Sequence, residues 1–467
     1  MFSSISRRGA LKSAACGFGY LAFADLVTRA AEKEAAPLAP KKPHFPAKAK
    51  HVIFLCMEGA PSHVDTFDYK PKLKADDGKA FNKARAGFGK LLASPWEFKQ
   101  SGKSGLWISE LYPELAKHAD ELCLINGMHT DVPAHPQAFQ HLHTGSFQFK
   151  RPSLGAWTVY GLGSNNENLP GFVTISPPLN NGGPTNYGSA FLPAVYQATP
   201  LGGGGPGFGG MGMGPRGGGA MSASNIKNPK QTTTQQRSQL DFIQGLNQAA
   251  LERDPENPAI EGAIESLELA FRMQKDLPKV MDISTESKQT QSLYGIGEGA
   301  TDRFGRQCLL ARRFVEAGVR FIEITSGGWD HHRNLKDSLG NTTKNTDKPI
   351  AGLLADLKAK DLLKDTLIIW GGEFGRTPYA QGTDGRDHNH KGFTTWFAGG
   401  GVKGGQTVGK TDEYGYEAVD GKVHIHDWHA TILHLLGMDH EKLTFRHAGR
   451  DFRLTDVKGN VVKEVMT

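Results

Sequence analysis

Cysteine is scarce in this chain. Its 467 residues carry 4, at Cys16, Cys56, Cys123 and Cys308, and no two form a C-x-x-C pair. Cys16 falls in the leader described below, which leaves an odd number. A disulfide framework is therefore not expected, at most one bridge can form, and the thiols read as small buried hydrophobes. Long apolar runs are missing too. The apolar N-terminal stretch falls short of the ~20 residues that a spanning helix needs, and no later segment approaches that length, so no membrane span is expected in the mature chain. Charge of one sign is not concentrated. A net +6 with pI ≈ 8.9 is a mild excess over this length, and the absence of a dense Lys/Arg stripe interleaved with aromatics argues against nucleic acid. At 38% hydrophobic and 22% charged residues the composition is that of a soluble globular protein. The 18 histidines are more informative, because many fall in tight clusters.

The N-terminus reads as an address. Arg7-Arg8 precedes a small-residue, mildly apolar stretch from Ala14 to Leu26, interrupted by Gly17, Gly19 and Asp25, and Arg29-Ala30-Ala31 follows as a cleavage region. Residues 1–31 thus resemble a twin-arginine signal, read by export machinery and not used as an anchor, and the expected destination is the periplasm or the exterior. The alternative is an ordinary amphipathic N-terminal helix. Residues 32–50, rich in Ala, Pro and Lys, read as a linker. Residues 51–467 read as one α/β domain, with a Gly-rich exposed loop at 202–220 that has nothing to bury.

Within that domain, His51 to Met57 is a short continuous apolar run, the signature of a parallel strand buried on both faces. Glu121 to Ile125 and Gly171 to Ile175 are weaker strands, and Gln239 to Gln274 is helical with a break near Asp254-Pro255. Two units then repeat one grammar. A helix from Phe304 to Ala317, stopped by Gly318, leads to a strand from Val319 to Thr325. A helix from Ile350 to Lys360 leads to a strand from Thr366 to Trp370. This pattern predicts an α/β fold with a mostly parallel central sheet and helices on both faces. Functional loops in such sheets follow the C-terminal strand ends.

Those loops hold unusual residues. Glu58, His63, Asp65 and Asp68 follow the first strand. Asp330-His331-His332 and Glu373-Phe374-Gly375-Arg376 follow later ones. Arg386-Asp387-His388-Asn389-His390 and His424-Ile425-His426-Asp427-Trp428-His429 lie downstream, and His135 to His143 precede Thr144-Gly145. Imidazoles mixed with carboxylates suit Zn²⁺ or another first-row divalent ion, whereas all-carboxylate sites would suit Mg²⁺ or Ca²⁺. The candidate metal ligands are Glu58, Asp65, Asp330, His332, Glu373 and His388. His135 and His390 are candidate proton shuttles. Arg376 and Arg386 could clamp a sulfate or phosphate, or equally form structural salt bridges.

Taken together, the twin-arginine start, the segment from Phe54 to Asp68, Gly328-Trp329-Asp330-His331-His332, Gly372 to Pro378 and Gly385-Arg386-Asp387-His388 resemble a bacterial family of exported proteins known as a domain of unknown function (fifteen-oh-one). That family looks like a sulfatase-like branch of the alkaline phosphatase and sulfatase superfamily. The resemblance implies a metal-dependent hydrolase of sulfate or phosphate esters, acting on a small-molecule or glycan ester. Where the superfamily has paired aspartates after its first strand, Glu58-Gly59 stands here, and Phe374 occupies a ligand position that it cannot serve. Asp330 with His332 is similar to the Asp and His pair of the phosphatases, and His388 to their later single His, with His390 competing. His143-Thr144-Gly145 matches the segment after the usual nucleophile, which puts His135 where a Ser, Thr or modified Cys is expected. Cys308 reads as core, and Ser62 and Thr66 as loop hydrogen-bonders. The implied reaction is direct water attack without a covalent enzyme intermediate. The second reading is a binding or scaffold protein that keeps the metal and has lost turnover.

Overall fold

The apolar run at the start of the domain forms β1 (His51–Met57), and its last six residues are all buried. Successive strand residues point to opposite faces, so burial at every position means that both faces of the sheet are covered. The computed structural model describes residues 37–83, 89–202, 230–254 and 257–467. The expected signal and nearly all of the expected Gly-rich loop lie outside these residues.

Around β1 the sheet gathers β2 (Leu122–His129), β3 (Phe172–Ile175), β4 (Thr199–Leu201), β5 (Phe321–Ser326), β6 (Thr366–Gly371), β7 (Phe393–Ala398), β8 (Gln406–Val408) and β9 (Val423–His424). The order is β8-β2-β7-β6-β1-β5-β3-β4, with β9 also beside β2. Leu55 of β1 lies opposite Ile324 on one side and Trp370 on the other, both in parallel register. β7 runs antiparallel to both β6 and β2, while β8 and β9 run parallel to β2. The fold is therefore α/β with a mixed, mostly parallel sheet. Because β7 alone among these strands runs the other way, the chain entering it arrives at the edge where the parallel strands end.

Both helix and strand units follow the expected grammar, with shifted borders. One helix covers Asp302–Glu316, and Gly318 behind it takes φ +85°, which L side chains rarely adopt. The next covers Leu335–Ala359 and begins at Leu335, not Ile350. Its first half, rich in Asn, Thr and Lys, lacks an apolar period, and Pro349 lies inside it. A tertiary contact holds it instead: Asp347 accepts from the Glu114 and Leu115 amides at 2.9 and 2.8 Å.

The expected linker is corrected from residue 37 onward. Leu38 and Ala49 belong to the main apolar core. The backbone of Lys41 bonds Leu162, and those of Lys48 and Ala49 bond Leu435. Cys56, Cys123 and Cys308 are free and buried, as expected. No helix among the described residues is long and apolar enough to cross a membrane.

Candidate metal centre

Four segments meet at the edge where β1, β5 and β6 end and β7 begins. After β1, Glu58 donates its amide to Ser326 and accepts from the Trp329 amide, which ties the first loop to the loop after β5. Gly59 permits this approach, because a Cβ there would stand 2.6 Å from the Asp330 amide nitrogen. A two-stranded ribbon, Gly375–Gln381 with Gly385–Asn389, pairs Arg376 with His388. It seats against the same loop at Gly385, where a Cβ would fall 1.9 Å from the His332 carbonyl oxygen. The fourth segment is the helix His135–Thr144, which begins at His135 and ends on Gly145 in the left-handed conformation.

These segments bring together His135, Asp330, His332 and His388, whose ligand-type atoms all lie within 4.8 Å of one another. Asp330 Oδ1 is the hub. It stands 3.2 Å from His135 Nε2, 2.8 Å from His332 Nε2 and 3.5 Å from His388 Nε2. The two last nitrogens are 2.9 Å apart. A tetrahedral Zn²⁺ with bonds of ~2.0–2.1 Å separates its ligand atoms by about 3.3 Å, so this spacing suits one small ion.

Proton assignments support the fit. His388 Nδ1–H donates to the Pro133 carbonyl at 2.7 Å, and His332 Nδ1–H donates to Gln381 Oε1. Both Nε2 atoms are then left to face each other. His135 Nδ1–H donates to Glu373 Oε1 at 2.6 Å, and its buried Nε2 stands 3.2 Å from Asp330 Oδ1. The facing lone pairs of His332 and His388 need a cation or a proton between them. Each ring is braced through its other nitrogen, as metal-binding imidazoles usually are. Asp330 remains 45% exposed, so a small molecule can reach the group.

The electrostatics follow from this crowding. Burial opposes charge on His135, but its contacts with Asp330 and Glu373 outweigh that and raise its pKa to about 9. Partial burial likewise opposes charge on Asp330, yet His135, His388 and Arg376 hold its carboxyl well below the usual range. Glu58 is pushed up by burial and by neighbouring Glu373, against a hydrogen bond from Asn181.

The other residues singled out in the sequence are placed differently. Glu373 accepts from His135 and from the Gly59 amide at 3.2 Å, so it braces a candidate ligand and stands outside the group of four. Glu58 accepts from Asn181 at 2.7 Å and is also outside it. Asp65 is corrected as a ligand. Both its oxygens are taken by Arg386, at 2.6 and 3.0 Å, and both side chains have 0% exposure. Arg386 is by the same contact corrected as a substrate clamp. Arg376 does reach the group, donating to Asp330 Oδ1 at 2.5 Å. Its remaining donors go to the Gly59, Ala60 and Arg386 carbonyls and, over a long 3.5 Å, to His332 Nε2, so it positions Asp330 and has no free face for an anion. His390 is not brought in: its charged neighbours are Lys391, Asp131 and His129. Ser62 bonds Asp65, and Thr66 bonds the Ser62 carbonyl, so both hydroxyls are loop hydrogen-bonders as expected. His135, expected from the sequence as a proton shuttle, stands within the group of four candidate ligands. Its place at a helix start, on a loop leaving a parallel strand, was the available signal.

A model of one family spans residues 49–466, described as Protein of unknown function (DUF1501). The chain belongs to this family. No curated protein matches it in sequence. Among solved structures, the DUF1501 chain is similar to the PsFucS1 sulfatase from Pseudoalteromonas sp., at 13% identity over 90% of this chain and 72% of that one, with a TM-score of 0.35. It is similar to the alkaline phosphatase from the Antarctic bacterium TAB5, at 11% identity over 77% and 93%, with a TM-score of 0.30. It is also similar to Ps i-CgsB in complex with k-i-k-neocarrahexaose, at 11% identity over 85% and 72%, with a TM-score of 0.36.

Proposed function

We propose that this protein is an exported, metal-dependent hydrolase of sulfate or phosphate esters, a sulfatase-like branch of the alkaline phosphatase superfamily. The observation that carries the reading is the convergence of His135, Asp330, His332 and His388 at an accessible strand-end edge. A divalent ion held there would lower the pKa of a bound water towards ~7 and neutralise anionic ester oxygens. The chain's own residues prepare the place. Glu373 fixes the ring of His135 through Nδ1, Pro133 and Gln381 fix His388 and His332, and Arg376 holds Asp330 in its ionised form. No hydroxyl or thiol among those singled out stands free as a nucleophile, which favours direct water attack. Export rests on the Arg7-Arg8 leader.

One observation favours the second reading, a metal-holding scaffold without turnover. Arg376 and Arg386, the two guanidinium groups expected to clamp an anion, are both consumed by internal bonds. Metal content alone does not separate the readings, but turnover does. The purified mature chain is to be assayed on aryl sulfate, aryl phosphate and bis-aryl phosphate beside a His332→Ala, His388→Ala variant, with metals quantified in both. Turnover that disappears with the metal in the variant supports the hydrolase. Metal without turnover on all three substrates supports the scaffold, and no metal in either protein defeats both.

A further inference from the structure

We infer that the chain carries a second divalent-metal site, built by His141, His424 and His426 and separate from the centre above. Among the described residues these three offer ligand atoms within 4.8 Å of one another. They come from two elements: His141 from the helix His135–Thr144, and His424 and His426 from the junction of β9 with the helix Ile425–Leu435.

The proton assignments leave the centre of this group electron-rich. His426 Nε2 lies 2.8 Å from the Gly145 carbonyl. A carbonyl only accepts, so the proton is on Nε2 and the lone pair is on Nδ1. His424 Nε2 lies 3.2 Å from Asp131 Oδ1, which also only accepts. His424 Nδ1 in turn accepts the His426 amide proton over a long 3.3 Å, so it too carries a lone pair. These two Nδ1 atoms face each other at 3.1 Å. That distance repels two lone pairs, and it is close to the edge of a tetrahedral zinc site, about 3.3 Å for bonds of ~2.0–2.1 Å. His141 completes the group. Its Nδ1 is engaged by Thr130 Oγ1 at 3.0 Å, which leaves Nε2 for the ion. Burial lowers the pKa of all three rings, that of His141 to about 3.

The bracing is that of a ligand set. A carboxylate holds His424, a carbonyl holds His426 and a hydroxyl holds His141 through the nitrogen that does not face the centre. Three imidazoles with one open position suit Zn²⁺ or a neighbouring first-row ion in preference to Mg²⁺ or Ca²⁺. The ion would pin the start of the last long helix to the helix whose first residue is His135, and so would fix the ground on which the other centre stands. This inference does not depend on the hydrolase reading.

The test is a zinc count on the full mature chain, stripped with chelator and dialysed against ZnCl₂. The variants are His141→Ala with His426→Ala, His332→Ala with His388→Ala, and Asp131→Asn, whose side chain is 36% exposed and lies outside the apolar core. Each histidine pair should lose one zinc per chain independently of the other. Asp131→Asn should keep its circular dichroism and weaken one zinc-binding step by about 10-fold or more. Should the His141 pair fail to fold, Asp131→Asn and the zinc retained by the His332 pair decide alone. Wild-type zinc content in the His141 pair, unchanged affinity in Asp131→Asn, or no zinc in a folded His332 pair would overturn the site and leave a shared proton between His424 and His426.

Discussion

His332 Nε2 and His388 Nε2 stand 2.9 Å apart, each with its Nδ1 committed to an oxygen acceptor elsewhere. One comes from the loop after β5 and the other from a strand of the ribbon, and the contact exists because that ribbon seats on the carbonyl of His332. Removing either ring should therefore abolish ion binding at this centre and leave the sheet intact. The expected outcome for His388→Ala is loss of one bound metal per chain. With it should go the stabilisation that a ligand at 100 times its Kd supplies, about 2.7 kcal/mol. Melting with and without added zinc reads this directly. A metal-dependent shift as large as in the wild type would remove His388 from the ligand set.

Gly385 should be indispensable to that contact. Its absent side chain is what lets the ribbon lie on the loop after β5, where a Cβ would meet the His332 carbonyl oxygen at 1.9 Å and the Arg333 amide at 2.6 Å. Backbone cannot step aside as a flexible side chain can. Gly385→Ala should cost about 1–3 kcal/mol of stability, as overpacking does, and should lower metal affinity as well. Chemical denaturation and a zinc titration check both halves, and unchanged affinity would show that the ribbon does not position His388.

The Asp65 and Arg386 pair makes a contrary prediction, about folding and not about ions. Both groups are wholly buried and doubly bonded. Asp65→Asn leaves a buried guanidinium without its counter-charge, and breaking one partner of such a pair costs about 3–5 kcal/mol. Metal content per folded molecule should stay that of the wild type. A folded Asp65→Asn protein that has lost its metal would return Asp65 to the ligands.

Asp347 should shape the acid side of the stability profile. Burial raises its pKa from 3.8 to about 6, with Glu114 adding to the rise and the backbone donors opposing it. The folded chain thus holds a proton that the unfolded chain has released between those values. Its contribution is full below the unfolded pKa and is lost as pH rises through about 6. Asp347→Asn cannot ionise, so its profile should lack this fall, on the order of 1–3 kcal/mol between about pH 4 and about pH 7. Denaturation curves at both ends measure it, and parallel profiles for the two proteins would refute the assignment.

The buried thiols should be silent. Burial pushes Cys123 up to about 12 and raises Cys56 and Cys308 well above their ordinary value, and the thiolate is the reactive form. A thiol-specific chromogenic reagent should find none of the three in the native mature chain and all three in denaturant. Rapid labelling of the native protein would show that one of them is accessible.

Local signals carried much of the fold. β1 and β6 were legible because a strand buried on both faces is apolar at every position, and the helix Asp302–Glu316 because its apolar face repeats. The first half of Leu335–Ala359 was hidden, since only Leu335 and Leu339 are apolar among its buried residues, and the others are Thr343, Thr346 and Asp347, the last held by the Glu114 and Leu115 amides. In the site, Asp330, His332 and His388 were legible from residue type and strand-end position. Asp65 carries the same chemical signal, and nothing local distinguishes a carboxylate that meets a metal from one that meets a guanidinium.

By itself, then, the sequence determined the alternation of helices and buried strands, the edge at which function collects, and a supply of imidazoles and carboxylates suited to a divalent ion. These follow from burial and chemistry read over a few neighbouring residues. Only the tertiary structure decided that β7 runs against its neighbours and so delivers His388 to that edge, that Arg386 consumes Asp65, and that His135 and His141, on one helix, belong to two different groups. Those outcomes depend on strand direction, ribbon seating and the choice of ring nitrogen. Each is set by contacts between segments far apart in the chain.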